Sequence, residues 1–474
     1  MTRRLPVDPA PGPLEDYALR FDDLFGARAQ REGFRRYLEG LLLPAERNKT
    51  LTALANTEPL AGAQRKEAQS LQWFLSESGW EPQRINERRL ELLFDDERTA
   101  PNEEGVLVID EHGDRKWGKK TAHVGKQWLG NLGKTDNGVV SVSSLLAEEG
   151  VYYPLAVEPY TPAHHFEGGK NDPEFRTKLK IARELVEHSV AEGVPFRAVV
   201  ADSFYGEDEE FRQALSGLGV GYVLALKESH SWWHKEGTIG ALWEAALAAG
   251  WKDAEEAGDW RRVLRTFRDG HQEAWWALEV EAGPYSPKKA QRALVVTSDP
   301  ERLPRLGTWY LVTDLPAPGE PSERAKQSEL LAPASVEEVV RLYGLRMWVE
   351  QSYKQVKHAL GWSDYQVRSD LSIRRHWQLV LCAFSFCWWA CGAEGLEFIG
   401  APPGIVLEED TQAVPAASVE TEGRGEKERA SSPAVMAASA EGGKGMAGAL
   451  RNAFAILEGI QRQGPARRVE SIAR

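Results

Sequence analysis

The sequence predicts an α/β protein: a mixed sheet flanked by helices, with a helical region before it and a second strand-rich stretch inside it. Three observations carry that prediction. Residues 106–110 (VLVID) and 196–202 (FRAVVAD) are short apolar, β-branched runs of the kind that form buried strands, and each ends in Asp. Residues 336–360 keep a helical period with no strand alternation, and Gly344 is their one weak point. The stretch between the two Asp runs reads as further strands and a helix, the alternation expected of a sheet with helices packed on it.

Residues 1–95 read as helices, with Phe34, Tyr37, Leu38 and Leu41 at helical spacing. Arg84, Arg88 and Arg89 form a candidate basic face, with an ordinary solvated helix face as the plainer alternative. A first part of the sheet domain is expected over 104–224: strands at 106–110, 138–146 and 151–159, a helix at 172–192, then the strand ending at Asp202. Three strands, a helix and a fourth strand is the order of a ribonuclease-H-like fold with a mixed sheet, which brings the first and fourth strands side by side.

An inserted β-rich domain is expected over 225–330, with strands near 221–226, 260–267, 274–280, 290–297 and 308–313. It holds Trp232, Trp233, Trp243, Trp251, Trp260, Trp275 and Trp276, whose plain role is core packing. Residues 331–398 return to the sheet domain. Residues 399–449 are expected to be a disordered linker, because the stretch 400–453 is rich in Ala, Gly, Glu, Ser and Pro and lacks aromatic residues until Phe454. A C-terminal helix or tail, 450–474, follows, with Leu450, Phe454, Leu457 and Ile460 at helical spacing.

Composition narrows the function. A chain of 474 residues holds two or three domains. No apolar leader opens it, and the run 377–393 is short of the roughly 20 residues a membrane span needs. Three Cys and no leader point to the reducing cytoplasm. Cys382, Cys387 and Cys391 lack metal-ligand spacing and are expected as core residues; His164, His165 and Glu167 sit in a Pro- and Gly-rich loop where zinc is not expected. The net charge of −13 is unfavourable for gripping DNA, so its distribution matters more than its sum. Arg115, Lys116, Lys119, Lys120, Lys126 and Lys134 form a stretch free of acids, and residues 341–375 carry seven Lys or Arg against Glu350, Asp364 and Asp370. Both stretches border the acids discussed next.

The chemistry is concentrated in YGLRMWVEQSYKQVK, where Tyr343, Arg346, Glu350 and Lys357 are spaced Y-x2-R-x3-E-x6-K. At about 100° per residue all four fall within an arc of roughly 60° on one helix face. A solvated face with an i,i+4 Arg–Glu pair is the plain reading of such a set. Asp110 and Asp202 weigh against it, since two strand-end aspartates and a helical glutamate can surround one point. Oxygen-only ligands suit Mg²⁺ or Mn²⁺, and two such ions about 3.5–4 Å apart are the usual device for in-line phosphoryl transfer.

These residues resemble the DDE-superfamily transposases of bacterial insertion sequences, in the group with the Tyr-Arg-Glu-Lys signature. VLVIDEHGDRKWGKKTAHVGKQWLGNLGKTDNGVVSVS resembles the block of the first Asp, VVADSFYG that of the second, and GTWYLVTDLP the strand before the Glu helix; LLLPAERNKTLTALA resembles the N-terminal region. The likeness spans about 13–395. It implies Asp110, Asp202 and Glu350 as catalytic metal ligands for two Mg²⁺ ions, with Mn²⁺ able to substitute. It also implies Tyr343, Arg346 and Lys357 as phosphate contacts, and Lys116, Lys119 and Lys120 are added as DNA-binding candidates from the adjacent basic stretch. The implied activity is cleavage at the element's terminal inverted repeats, through a hairpin in some relatives, and joining of the 3′-OH ends to target DNA by a homodimer in a synaptic complex, in the cytoplasm at the nucleoid and away from membranes. It further implies an inserted β-domain whose tryptophan stacks on a flipped base, with no local motif to say which. Alternatives are a ribonuclease-H-like endonuclease or domesticated copy without strand transfer, a glycoside hydrolase with paired carboxylates, and a non-catalytic DNA-binding regulator. The cations around Glu350 disfavour the sugar enzyme, and the three intact acids disfavour the regulator.

Overall fold

The computed structural model describes residues 5–43, 47–234, 238–267, 271–281, 291–319 and 331–390. The expected linker (399–449), the expected C-terminal helix or tail (450–474) and Cys391 lie outside the described residues. The chain opens with α1 (Pro13–Leu19), α2 (Arg28–Leu42), α3 (Leu51–Leu54), α4 (Lys66–Ser76) and α5 (Pro82–Phe94). On α2 the residues picked out by periodicity, Phe34, Tyr37, Leu38 and Leu41, are all buried. Pro82 starts α5 where its missing N–H costs no helical bond.

The sheet is built from β1 (Val106–Arg115), β2 (Gly125–Leu129), β3 (Lys134–Ala147), β4 (Tyr152–Tyr160), β5 (Ala198–Ala201) and β6 (Tyr222–Leu226). Helix α6 (Lys178–Ala191) precedes β5, and α7 (Ser203–Gly206) and α8 (Glu209–Gly217) follow it. The helix expected from 172 begins at Lys178 instead, after Thr177 caps it by accepting from the Lys180 N–H. A small pair, β7 (Ser231–Trp233) and β8 (Ile239–Ala241), leads into α9 (Leu242–Ala248). Then come β9 (Arg261–Thr266), β10 (Gln272–Val280), β11 (Arg292–Thr297) and β12 (Thr308–Thr313).

Among the described residues the main sheet has ten strands, in the order β2-β3-β1-β5-β6-β12-β11-β10-β9, with β4 also paired to β3. β1, β5 and β6 are mutually parallel, while the other pairings are antiparallel. The mixed sheet and the side-by-side first and fourth strands match the expected element order. The strands expected as an inserted β-domain form, but β9–β12 continue the central sheet: β12 pairs edge to edge with β6. An open edge of unpaired N–H and C=O groups on β6 is satisfied this way. β1 runs past Asp110 to Arg115 because β3 keeps pairing with it over that length.

The last elements are α10 (Val336–Gly344), α11 (Met347–His358) and α12 (Asp370–Ala390). The single helix expected over 336–360 is thus two. From Tyr343 to Val349 the backbone tightens: Arg346 N–H donates to Tyr343, Trp348 N–H to Leu345 and Val349 N–H to Arg346, at 3.1 Å each. These three-residue steps replace the α-helical pattern just after Gly344, the weakest helix former in the segment. Helix α12 is buried along most of its length, Cys382 and Cys387 included. It locks the N-terminal helices to the sheet. Arg375 donates to the carbonyls of Leu75, Ser78 and Trp80, and His376 Nδ1 lies 2.9 Å from the Tyr37 hydroxyl. Residues 5–94 therefore share one core with the sheet domain. Among the described residues no helix is long and apolar enough to cross a membrane.

Candidate active site

Sheet register brings the two aspartates together. The last parallel pair between β1 and β5 is Ile109 opposite Ala201, so Asp110 and Asp202 are the next residues on neighbouring strands. Asp202 ends its strand as the N-cap of α7, its Oδ1 accepting from the Phe204 N–H at 2.9 Å. Gly206 ends α7 where the helix backs onto β6; a Cβ there would run into the Ala225 carbonyl. The DSFYG block therefore needs its Gly to seat Asp202.

Asp110 is buried. Its Oδ1 accepts from the Glu111 N–H at 2.8 Å and its Oδ2 from Arg346 Nη2 at 3.0 Å. Burial pushes the Asp110 carboxyl up to about 6; Arg346 opposes this and the Asp202 charge adds to it. Burial works against the Arg346 charge, but Asp110, Tyr343, Asp202 and Glu350 outweigh it and hold the guanidinium's pKa above its ordinary value. All three acids thus act on one guanidinium.

Helix α11 lies along β1. Asp110, His112 and Asp114 alternate onto one strand face, and Arg346, Tyr353 and Lys357 meet them in turn. The helix advances about 16 Å from Arg346 to Lys357 and the strand about 13 Å from Asp110 to Asp114, so long side chains bridge both ends. Tyr353 donates to the Asp110 carbonyl at 3.2 Å and lies 2.5 Å from Ser143 Oγ. Lys357 Nζ sits 3.4 Å from Asp114 Oδ1, which also meets His112 Nε2 at 2.9 Å. Burial would raise the Asp114 pKa, but His112, Lys357 and Lys116 together hold it below the ordinary carboxylate value. Burial lowers the Lys357 pKa against the pull of Asp114.

Of the signature residues, Arg346 and Lys357 reach β1, while Tyr343 is buried against Trp309 at 5.0 Å between ring centroids. Glu350 is exposed in the first turn of α11. One face for all four residues requires a single straight helix, and the break at Arg346 changes the phase between Tyr343 and the rest. Asp114, His112, Tyr353 and Trp309 were not singled out from the sequence. Alternation along β1 and helical spacing along α11 carry the first three, but only with the pairing of the two elements known.

The basic candidates divide. Lys116 turns inward: Nζ donates to the Ser363 carbonyl at 2.9 Å and lies 3.3 Å from the centroid of the Tyr365 ring. Burial lowers its pKa to about 8. Lys119 and Lys120 are exposed beside Trp117, which is 84% exposed under the Arg115 guanidinium. In the N-terminal region Arg89 is fully buried, donating to the Pro154 and Leu155 carbonyls, and Arg88 pairs with Asp23. Of that trio only Arg84 remains exposed.

The donor set suits a hard divalent cation in part. Asp110 and Asp202 supply adjacent carboxylate oxygens. Among the described residues no three acidic, His or Cys side chains are grouped closely enough to hold an ion, so Glu350 is not gathered with them. Arg346 takes up one oxygen of the pair.

Comparison with known proteins gives the family. Residues 20–247 match the family described as DDE superfamily endonuclease, and residues 173–386 match the transposase DDE domain. The chain is also 31% identical, over 369 residues, to the probable transposase for insertion sequence element IS701 of Microchaete diplosiphon, covering 77% of this chain and 85% of that protein. The chain belongs to the DDE-superfamily transposases. Divalent metal ions are the usual cofactors of this transposase family. The endonuclease match contains both aspartate strands, and the transposase-domain match contains the Asp202 strand and all of α10 and α11.

Proposed function

We propose that this chain is the transposase of an insertion sequence of the IS701 kind: it binds the element's terminal inverted repeats, cuts the DNA at their ends and joins the freed 3′-OH ends to target DNA. The observation that carries this reading is the pairing of Asp110 with Asp202 at adjacent parallel strand ends, with the signature helix laid along the same strand. Asp110, Asp202 and Glu350 are the residues that would hold two Mg²⁺ or Mn²⁺ ions. When bound, such ions lower the pKa of an attacking water or 3′-hydroxyl and stabilise the leaving oxygen.

The chain's own residues do the rest. Glu350 would be the third ligand of that set, and Arg346, now on Asp110, would take a phosphate oxygen, for which its planar fork is well matched. Lys357 contributes a point charge on the DNA backbone, oriented by Asp114. Tyr343 and Trp309 wall the site from the side of β12. Lys119, Lys120 and Trp117 offer charge and stacking surface to flanking DNA. Two ends must be brought together, so a dimer is expected when DNA is bound.

The test is to incubate the purified chain with labelled DNA carrying the repeats that flank its gene, with Mg²⁺ or with EDTA. Metal-dependent cuts at the repeat boundary, absent from Glu350→Ala, support the reading. Metal-dependent cutting that ignores the ends instead indicates a plain nuclease.

A further inference from the structure

On the strands beyond β6, one guanidinium is held by aromatic rings with none of its N–H groups hydrogen-bonded among the described residues. Arg265 lies on β9, directly opposite Glu273 on β10, a register position where cross-strand ion pairs commonly form. Here the two attract electrostatically without making a direct ion-pair contact. Glu273 instead accepts from Trp275 Nε1 at 3.1 Å and lies 3.3 Å from His271 Nε2. The Arg265 guanidinium has no hydrogen-bond or ion-pair partner among the described residues, and its Nε is buried without an acceptor.

Aromatic rings surround it instead. The guanidinium carbon is 4.2 Å from the ring centroids of Phe267 and Trp275 and 4.3 Å from that of Trp309. These faces favour a cation and fix the plane of the guanidinium, but they accept none of its N–H groups in a conventional hydrogen bond. Trp309 is also the ring packed on Tyr343, and Tyr343 lies close enough to Arg265 for the two to interact electrostatically. The cage thus stands beside Tyr343 at the end of α10. Arg265 is half-buried, so its free N–H groups are open to an acceptor, and none of the described residues supplies one.

We propose that Arg265 is a further phosphate-binding residue, which grips a backbone phosphodiester of the element's end while Arg346 and Lys357 hold the phosphates at the cut. Strands β9–β12 then serve as a DNA platform continuous with the catalytic sheet. The inference rests on the transposase reading above. A fixed guanidinium gives two parallel hydrogen bonds to one phosphate, which a neutral side chain cannot replace.

The test uses the full chain and a fluorescein-labelled duplex carrying the terminal repeat. Anisotropy titrations over a series of salt concentrations compare wild type, Arg265→Met and Arg265→Lys, with thermal melts of each. Arg265→Met is expected to bind about ten-fold more weakly, to lower the slope of log affinity against log salt by about one, and to melt as wild type does. Arg265→Lys is expected to keep the slope and lose part of the affinity, since it retains the charge without the fork. Binding by Arg265→Met with the wild-type slope and affinity overturns the proposal. So does a loss of affinity in both variants that follows a fall in melting temperature with the slope unchanged, which marks Arg265 as a packing residue. If the wild-type chain cuts its ends and Arg265→Met matches it, only this inference fails; if wild type neither binds nor cuts them, the transposase reading fails with it.

Discussion

The site joins two regions built under different constraints. On the sheet side, Asp110 and Asp202 sit where parallel pairing and a helix cap place them, one buried and the other half-buried. On the helix side, Glu350 sits exposed in the first turn of a helix that starts at a break in the backbone. Between them Arg346 experiences all three acids and binds one. In the function proposed above, the sheet supplies two of the three metal-binding carboxylates, one of them already paired with a guanidinium, while the helix supplies the third from an exposed position. Two acids on paired strands are preorganised, and under the proposed function the exposed third has to be brought to them when cation and DNA bind.

The largest effects expected come from removing ligands on either side without disturbing the fold. Asp202→Asn keeps the cap of α7, and Glu350→Gln alters an exposed side chain, so both are expected to stay within about 0.5 kcal/mol of wild type in thermal or denaturant unfolding. Each is nevertheless expected to lower end cleavage by on the order of a thousand-fold, read on a sequencing gel. Full activity in Glu350→Gln would remove the exposed acid from the site and end the contrast drawn above.

The next effect tests whether the sheet also positions the helix. Asp114→Asn removes the charge that Lys357 and His112 share on β1. Cleavage is expected to fall about 10- to 100-fold, the usual cost of losing a residue that orients a functional group. Binding to end DNA should hold. In a double-mutant cycle, adding Lys357→Ala should cost little more, because both changes disable the same group. Additive losses would mean that Asp114 acts independently of Lys357.

How much of this could be read from the sequence follows the same division. The strands ending in Asp were legible because buried parallel strands appear as continuous apolar runs. The signature spacing marked the helix, and the face of α2 followed from periodicity. The break at Leu345 and Arg346 was not legible, since Gly344 only weakens a helix and tertiary contacts decide whether it bends. Asp114 and Tyr353 gain meaning only once β1 and α11 are set in register. Lys116 and Arg89 looked like surface cations, yet both are bound to carbonyls of distant segments, and no local pattern announces such contacts. Likewise, periodicity identifies β9–β12 as strands but not the edge on which they pair.

A smaller effect concerns the energy stored in the sheet half. Burial raises the Asp110 pKa from 3.8 to about 6, so the folded carboxyl binds its proton more tightly than the unfolded one. The group therefore favours the native state at acid pH, and that contribution is lost as pH rises from about 4 to about 6. In EDTA, the difference between the unfolding free energies of Asp110→Asn and wild type should grow in favour of the variant over that window, by about 3 kcal/mol as an upper bound. Loss of the Arg346 contact in Asp110→Asn reduces this total but not its sign. A difference that stays flat with pH would mean that Arg346 and solvent already offset the burial of Asp110.

The smallest effect lies outside both halves, on the exposed loop that follows β1. Lys119 and Lys120 contact neither the acids nor the core, and Trp117 beside them presents its ring to solvent. Cations in such a position strengthen binding through counterion release without taking part in the chemistry. Lys119→Ala and Lys120→Ala should each weaken end binding by a few-fold at about 0.1 M salt and lower the salt slope by about one, equally for repeat and unrelated DNA. At saturating protein their cleavage rates should match wild type. Trp117→Ala should leave the slope unchanged and weaken single-stranded flanks more than duplex, since stacking needs an exposed base face. A cleavage defect that persists at saturation in either lysine variant would bring this loop into the site itself, extending the rigid sheet side of the comparison beyond Arg115.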